Sequence, residues 1–290
     1  MSNSKITAYV LRDLCGDACL NKGNEADLMK IQQWLQENEL NHDLLKKSAG
    51  YRDNYRYTPL HYLVCAHPSL NLVEKLIQLA PETVKVKNIS GCLPLHLCCG
   101  YGASTEVIKM ILEAYPEAAQ IQDNNGRLPL HISCKFDASS DVKKMLLKAY
   151  PTASEVQDKD GELVLHLLCR SNSPSPDVIR MVIEANPKAT EVQDNYGMLP
   201  LHWTCYHMAP IDIERLLVGA FPEGISKKDN TGKVPLDHAR DKGVVSKELL
   251  SLLSQQKGNY RRGSIAGSIA AFMPQFPKNW LSRCVQARGA

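Results

Sequence analysis

The chain has 290 residues, of which 44% are hydrophobic and 22% charged, and its net charge is +3. This length allows roughly one to three globular domains, and so small a net charge gives no reason to expect a nucleic-acid partner. The N-terminus has no apolar run of signal-peptide length before Arg12, and no segment reaches the roughly 20 apolar residues of a membrane-spanning helix. We therefore expect a cytoplasmic protein, with the nucleus as a second location, whose ten cysteines are reduced.

Residues 1–50 lack the motif that recurs through the rest of the chain. They contain a helix-like segment, EADLMKIQQWLQE, which begins at Glu25. We predict a degenerate N-terminal helical pair in this region.

A motif of the form Leu-Pro-Leu-His then recurs along the chain, with five histidines spaced 35, 35, 35 and 36 residues apart. These histidines are His61, His96, His131, His166 and His202. Asp237 takes the same place 35 residues later. A glycine lies five residues before each of the last four histidines and before Asp237, and an Asp or Asn lies three residues before each glycine. A period of this length indicates an array of stacked units.

Each unit predicts a turn followed by two helices. Sequences such as DNNG, which begins at Asp123, are typical of turns in which glycine takes a positive φ. The proline of the motif suits the first turn of a short inner helix. In STEVIKMILEAYP, apolar residues follow the i, i+3, i+4, i+7 spacing of a second, outer helix.

These residues resemble the ankyrin repeat, whose D-x-x-G-x-T-P-L-H pattern and 33-to-36-residue period they match from about Asp53 to Gln256. The resemblance implies an all-α fold: an ankyrin-type helical solenoid with short β-hairpin-like turns between stacked helix pairs. We expect about six units over residues 51–257. The motif threonine survives only as Thr58, and Arg56 replaces the hairpin glycine of the first unit, where we expect a distorted hairpin.

The repeated histidines and cysteines also raise a metal-binding or redox hypothesis. A structural zinc site needs about four ligands within roughly 2.0–2.3 Å of one point, whereas equivalent residues in packed helices lie about 8–10 Å apart. We therefore interpret them as packing residues and expect no metal, no cofactor and no catalytic residue. The chain also lacks a phosphate-binding loop, H-E-x-x-H and G-x-S-x-G. A metal- or thiol-dependent enzyme is the least favoured alternative.

The resemblance implies that a protein partner docks on the hairpin tips and the exposed inner-helix positions. The residue after each hairpin glycine varies in charge and size, which suits a specific protein partner. At these positions we predict that the partner contacts Tyr57, Arg127, Glu162, Met198 and Lys233. Large side chains at a hairpin tip or after an inner-helix core extend this candidate surface to Phe136, Tyr196, Tyr206 and His207. The predicted function is a non-catalytic protein–protein interaction module: an adaptor, a scaffold or an inhibitor.

The composition changes from Lys257 onward. This end of the chain holds six Lys or Arg and no Asp or Glu, which leaves 28 basic and 31 acidic residues in the first 256. We predict a flexible basic tail over residues 258–290. Its RRGS sequence resembles a basophilic kinase site at Ser264, although a chance basic linker explains it equally well. The main alternative function is a membrane-associated anchor whose tail contacts anionic lipid.

Overall fold

The computed structural model describes residues 3–38, 41–243, 245 and 247–259. The chain divides into two compact units, with the division between Tyr150 and Pro151. The described residues form helices and turns and contain no strand, as an all-α fold requires.

The N-terminal region holds three helices rather than the predicted pair: α1 (Asn3–Leu20), α2 (Glu25–Glu37) and α3 (His42–Ala49). Helix α1 packs on α4 (Pro59–Val64), and α3 packs on α5 (Leu70–Leu79). Helices α1 and α3 thus take the inner and outer positions of a repeat. Helix α2, which lies between them in the chain, is the helix-like segment identified in the sequence, and it begins where the Asn24 side chain accepts a hydrogen bond from the Asp27 N–H, at 2.8 Å.

The first unit continues with two further pairs of an inner and an outer helix. They are α6 (Pro94–Tyr101) with α7 (Thr105–Ala114), and α8 (Pro129–Lys135) with α9 (Ser140–Ala149). A 3-10 turn follows the outer helices α5 and α7, at Pro81–Lys85 and Pro116–Gln120. These short turns hold the extra residues of the period.

The second unit contains three pairs of the same kind. They are α10 (Val164–Arg170) with α11 (Pro176–Ala185), α12 (Pro200–His207) with α13 (Ile211–Ala220), and α14 (Pro235–Asp241) with α15 (Lys247–Asn259). Its 3-10 turns lie at Pro151–Glu155, Pro187–Thr190 and Pro222–Ser226. From α4 to α15 the described part of the chain therefore contains six pairs of an inner and an outer helix, in addition to α1 and α3.

An acidic or amide side chain shapes each hairpin. Asp194 Oδ1 accepts hydrogen bonds from the backbone N–H groups of Tyr196 and Met198, both at 2.9 Å. The Gly197 N–H donates to the Asp194 carbonyl, also at 2.9 Å. This pattern is an Asx turn, in which a side chain satisfies backbone donors that no strand partner reaches. It recurs at Asp53, Asn88, Asp123, Asp158 and Asp229.

The hairpin glycine is required for two reasons. Gly197 has φ of 73°, in the left-handed region that favours glycine. A Cβ atom at Gly197 would also lie 2.4 Å from the side-chain oxygen of Asn230 in the following hairpin.

Arg56 adopts the same left-handed conformation as the glycines, with φ of 61°. Its N–H still donates to the Asp53 carbonyl at 2.9 Å, and the Tyr57 N–H still donates to Asp53 Oδ1 at 2.8 Å. The prediction of a distorted first hairpin was therefore wrong. The hairpin bonds outweigh the strain, which is about 1–2 kcal/mol for a residue with a Cβ atom.

The framework histidine uses both ring nitrogens to connect neighbouring repeats. His96 Nδ1 accepts a hydrogen bond from the Leu93 N–H at 3.1 Å, and Nε2 donates to the Arg127 carbonyl of the next hairpin at 3.2 Å. His202 repeats this with the Leu199 N–H at 3.0 Å and the Lys227 carbonyl at 3.1 Å. Because Nδ1 accepts, the proton lies on Nε2 and the ring is neutral.

Burial keeps these rings neutral. It lowers the pKa of His61, His96 and His166 to about 4, against the partial compensation of the backbone carbonyls that face them. Asp237 replaces the histidine in the last pair, and its Oδ2 accepts from the Val234 N–H at 3.2 Å. An aspartate can accept the hydrogen bond from the start of its own inner helix. Unlike histidine, it has no ring N–H to donate to a carbonyl of a following hairpin.

Leucines compensate for the lost threonine caps. Thr58 accepts from the backbone N–H of His61 at 3.4 Å, a bond that leucine cannot make. The leucines at this position are almost completely buried: Leu93, Leu128, Leu163 and Leu199. Burial of a leucine side chain contributes about 1.5–3 kcal/mol, which is more than the roughly 1 kcal/mol of a cap.

Replacement of Arg56 by glycine is expected to raise the free energy of unfolding by about 1 kcal/mol. Relief of the left-handed strain at about 1–2 kcal/mol exceeds the 0.4–1 kcal/mol of backbone entropy that glycine adds to the unfolded chain. Chemical denaturation followed by circular dichroism measures the change. Arg52→Gly is the matched control, since Arg52 lies in the same hairpin region without a positive φ, and it is expected to destabilise. An Arg56→Gly protein less stable than wild type would contradict the strain argument.

The framework histidines predict a loss of stability in mild acid. Unfolded histidines bind a proton near pH 6.5, whereas the folded ones bind it only near pH 4. In this window the unfolded chain holds more protons, so the free energy of unfolding falls as pH falls from 6.5 to 4. One pKa unit corresponds to about 1.4 kcal/mol. Over this pH range each of these histidines therefore lowers the free energy of unfolding by on the order of 2–3 kcal/mol.

Urea denaturation at a series of pH values measures this dependence. His96→Gln keeps an acceptor for the helix N-terminus but does not titrate, so its stability is expected to fall less steeply with acid. His67→Gln, at an exposed histidine, serves as the control and is expected to follow wild type. Equal slopes for His96→Gln and wild type would show that His96 is not buried in its neutral form.

Candidate protein-binding surface

In two repeats the residue after the hairpin glycine contacts the end of its own inner helix, eight residues later. Lys233 Nζ forms an ion pair with Asp241 at 2.7 Å, and Arg170 pairs with Glu162 at 2.7 Å. Arg127 instead pairs with Asp123 of its own hairpin, at 2.8 Å.

Two of the predicted contact residues lie inside the fold. Glu162 is 2% exposed and Met198 is 7% exposed, so their prediction as surface residues was wrong. The Glu162 side chain contacts Arg170 at the end of the inner helix instead of solvent. Burial raises the pKa of Glu162 to about 7, although the Arg170 charge opposes the shift.

In several hairpins the second carboxylate oxygen of the aspartate forms a hydrogen bond with an inner-helix side chain. That side chain belongs to the residue nine positions after the aspartate. Trp203 Nε1 donates to Asp194 Oδ2 at 2.8 Å, and Tyr62 donates to Asp53 Oδ2 at 2.6 Å. In the last pair His238 Nε2 lies 2.7 Å from Asp229 Oδ2. Burial alone would raise the pKa of Asp229, but hydrogen bonds from Thr231, Lys233 and His238 outweigh it and lower the pKa to about 2.

Three of the predicted residues, Tyr196, Tyr206 and His207, come together around Trp203 in the second unit. The Trp203 ring centroid lies 6.5 Å from Tyr196, 6.0 Å from Tyr206 and 5.8 Å from His207. The rings of Trp203 and His207 are stacked, whereas the others meet edge to face. We call these four residues the aromatic cluster.

The aromatic cluster is open to solvent. Tyr196 is 58% exposed and Tyr206 is 38% exposed, and the adjacent Met208 is 53% exposed. Exposed rings grouped in this way are unusual on a surface that contacts only water. Aromatic side chains are also enriched among the residues that dominate binding energy at interfaces.

Two cations lie over the rings of the aromatic cluster. The Arg170 guanidinium is 5.2 Å from the Trp203 ring centroid, and Lys242 Nζ is 4.1 Å from that of Tyr206. Both distances are typical of cation–π contacts. Burial, together with the Arg170 and Lys242 charges, lowers the pKa of His207.

None of Trp203, Arg170 and Lys242 was predicted from the sequence as a contact residue. The sequence did contain a signal for the contact with the hairpin aspartate. Nine positions after it, three repeats have a ring that can donate a hydrogen bond, namely Tyr62, Trp203 and His238, whereas the other repeats have an aliphatic residue.

The remaining predicted residues lie in the first unit. Phe136 is 57% exposed and packs beside Gly100. Tyr57 is half-buried against the rings of His61 and Tyr62. The first unit also exposes Tyr55, Ile89 and Tyr101.

The repeated histidines and cysteines do not converge on a common point. The ring nitrogens of His61, His96, His166 and His202 bond backbone groups in the ladder described above. Among the described residues, one group of three could bring metal-ligand atoms within 4.8 Å of one another: Asp158, Asp160 and Glu162. Asp158 Oδ1 accepts two backbone N–H bonds, and Glu162 is held by Arg170. These bonds explain why Asp158 and Glu162 lie close together in this hairpin.

The thiols differ sharply in chemical environment. Burial raises the pKa of the four cysteines that follow the framework histidines: Cys99, Cys134, Cys169 and Cys205. Cys19 is half-buried, and a hydrogen bond from Cys65 lowers its pKa to about 7. Cys19 is therefore the thiol best suited to react at neutral pH.

Ser264 and nearly all of the predicted tail lie outside the described residues. In the part of the chain that is described, each helix is too short or too polar to cross a bilayer.

Residues 60–155 match the family model described as ankyrin repeats in three copies. No curated protein matches the sequence. The human ASB11 ankyrin repeat domain superimposes with a TM-score of 0.61 at 16% identity, over 85% of this chain and 96% of its own. The ankyrin repeat domain of Bcl-3, of the IkappaB family, gives 0.57 at 16% identity, over 82% of this chain and 97% of its own.

A further solved structure is the Bdellovibrio bacteriovorus predatory endopeptidase Bd0816 in complex with immunity protein Bd3460. Its matching chain gives a TM-score of 0.56 at 19% identity, over 71% of this chain and 99% of its own. Residues 60–155 thus match the ankyrin repeat model, and the chain has the fold of an ankyrin repeat domain, as the sequence pattern predicted. Repeats of this kind generally mediate protein–protein interaction and are typically non-catalytic.

Cys19 is expected to react first with a thiol reagent at pH 7.5, because much of it is thiolate at that pH. Mass spectrometry of the native protein after brief alkylation, in a Cys284→Ser background, measures the order of labelling. Cys65→Ala is expected to slow the alkylation of Cys19. Cys92→Ser is the control and is expected to leave the alkylation rate of Cys19 unchanged, since Cys92 is a thiol whose pKa burial raises to about 11. Labelling of Cys134 or Cys169 before Cys19 would contradict this assignment.

Proposed function

We propose that this chain is a non-catalytic protein-binding module, acting as an adaptor, a scaffold or an inhibitor in the cytoplasm. Its partner contacts the aromatic cluster of Tyr196, Trp203, Tyr206 and His207. The exposed rings, grouped on one hairpin and the end of one inner helix, are the observation that carries this proposal.

The aromatic cluster is held in place before any partner binds. Trp203 is fixed by its bond to Asp194, and Tyr206 lies between the rings of His207 and His238 at 5.1 Å and 5.9 Å. A surface whose side chains are already ordered loses less conformational entropy on binding. Large aromatic residues in such a setting carry binding energies of 2 kcal/mol or more.

Affinity purification from the protein's own cells tests this proposal. The double variant Tyr196→Ala with Tyr206→Ala is expected to lower the binding affinity of a captured partner at least tenfold, as measured by calorimetry. Thermal stability is expected to change little, because surface substitutions usually stay within about 0.5 kcal/mol.

The matched control combines Tyr101→Ala with Phe136→Ala, which removes two exposed rings from inner helices of the first unit. It is expected to leave the partner's affinity unchanged. A partner that survives the first double substitution but is lost with the control would place the binding surface in the first unit.

A further inference from the structure

We infer that the aromatic cluster binds an acidic peptide segment that carries an apolar or aromatic anchor. This inference rests on the proposed function and adds the chemistry of the partner. It follows from the charges that surround the rings, since Asp194, Glu162 and Asp229 are buried whereas the Arg170 guanidinium and the Lys242 ammonium group lie over the rings.

Three carboxylates next to the aromatic cluster are buried and already have hydrogen-bond or ion-pair partners. Asp194 accepts two backbone N–H bonds and the Trp203 indole N–H, and its residue is 6% exposed. Glu162 is buried against Arg170. Asp229 is 7% exposed and accepts from its own hairpin and from His238. These acids shape the hairpins and present little negative charge to a partner.

The cations remain accessible. Lys242 is exposed, and its ammonium group contacts the Tyr206 ring without an ion pair in the described part of the chain. One nitrogen of Arg170 forms the ion pair with Glu162, and the guanidinium lies over the Trp203 ring. The Arg170 side chain is 28% exposed. Burial lowers the pKa of His207, and the Arg170 and Lys242 charges lower it further.

The rings supply the complementary apolar contact. Tyr196, Tyr206 and Met208 offer a fixed, exposed apolar surface beside Lys242. A peptide that places an apolar side chain on the rings brings a neighbouring carboxylate within reach of the ammonium group. A nucleic acid fits less well, because only Lys242 of the two ring-contacting cations is free of a carboxylate.

Fluorescence polarisation with labelled polymers tests this inference on the full chain. The probes are poly(Glu,Tyr), poly(Glu), poly(Lys,Tyr) and a 20-nucleotide oligo(dT). We expect poly(Glu,Tyr) to bind at least tenfold more tightly than each of the others. We also expect its affinity to fall as salt rises, because exposed charges are screened within about 8 Å at physiological ionic strength.

Lys242→Glu and Tyr206→Ala are each expected to weaken poly(Glu,Tyr) at least tenfold, and Lys242→Arg is expected to retain it. Lys135→Glu is the matched control, since it makes the same charge change on an exposed residue at the end of α8. Circular dichroism and thermal melting confirm that each variant is folded.

Preferred binding of poly(Lys,Tyr) or oligo(dT) would overturn the acidic-peptide inference. So would Lys242→Glu that binds poly(Glu,Tyr) like wild type. If a natural partner still requires Tyr196 and Tyr206 in those cases, the proposed function stands and only the partner chemistry is wrong. If the natural partner is also indifferent to Tyr196 and Tyr206, both proposals fail.

Discussion

The two hydrogen bonds of the framework histidine connect one repeat to the next. One ring nitrogen accepts from the first turn of its own inner helix, and the other donates to a carbonyl of the following hairpin. Only a neutral imidazole offers an acceptor and a donor on opposite sides of one rigid ring. The recurring histidine therefore serves the architecture of each unit, and burial of the ring, which lowers its pKa, keeps it in the neutral form that these two bonds need.

The hairpins depend on this connection and extend it. Each hairpin presents its carbonyl to the preceding histidine while an Asp or Asn side chain closes the turn. Asn124 and Asn230 add a side-chain bond to the carbonyl of the hairpin before them, at 2.9 and 3.0 Å. Backbone groups that would pair in a sheet are thus satisfied without strands.

The sequence predicted the elements that repeat and missed what varies between repeats. The period located all six helix pairs, because a constant spacing of Pro, His and Gly reflects constant local structure. It did not show that Glu162 and Met198 are buried, since a column of equivalent positions reveals nothing about the side of the hairpin to which a side chain turns. In the N-terminal region the helix-like segment that begins at Glu25 is α2, but the sequence did not show that helices lie on both sides of it, α1 before and α3 after.

Arg56 and two buried charges show the limits of a repeat pattern in physical terms. Arg56 tolerates a left-handed backbone because the hairpin bonds around it are retained. Lys143 and Glu214 each stand in an outer-helix column that is otherwise aliphatic, at Ile108 and Ile179 for example. Lys143 reaches Asp137 at 3.1 Å, whereas burial raises the pKa of Glu214 to about 7. Neighbour contacts in a stack thus absorb local penalties that a pattern alone would forbid.

The aromatic cluster gains its order from the same hairpin chemistry. One oxygen of Asp194 closes the turn, and the other holds the Trp203 indole on which the surrounding rings and Arg170 pack. A single carboxylate therefore shapes the hairpin and orients the surface beside it. The indole bond occupies the second oxygen of Asp194, whose residue is 6% exposed, so this carboxylate presents little of its charge to solvent. The step from framework to binding surface is thus a change of one residue, nine positions after the aspartate, from an aliphatic side chain to an aromatic donor.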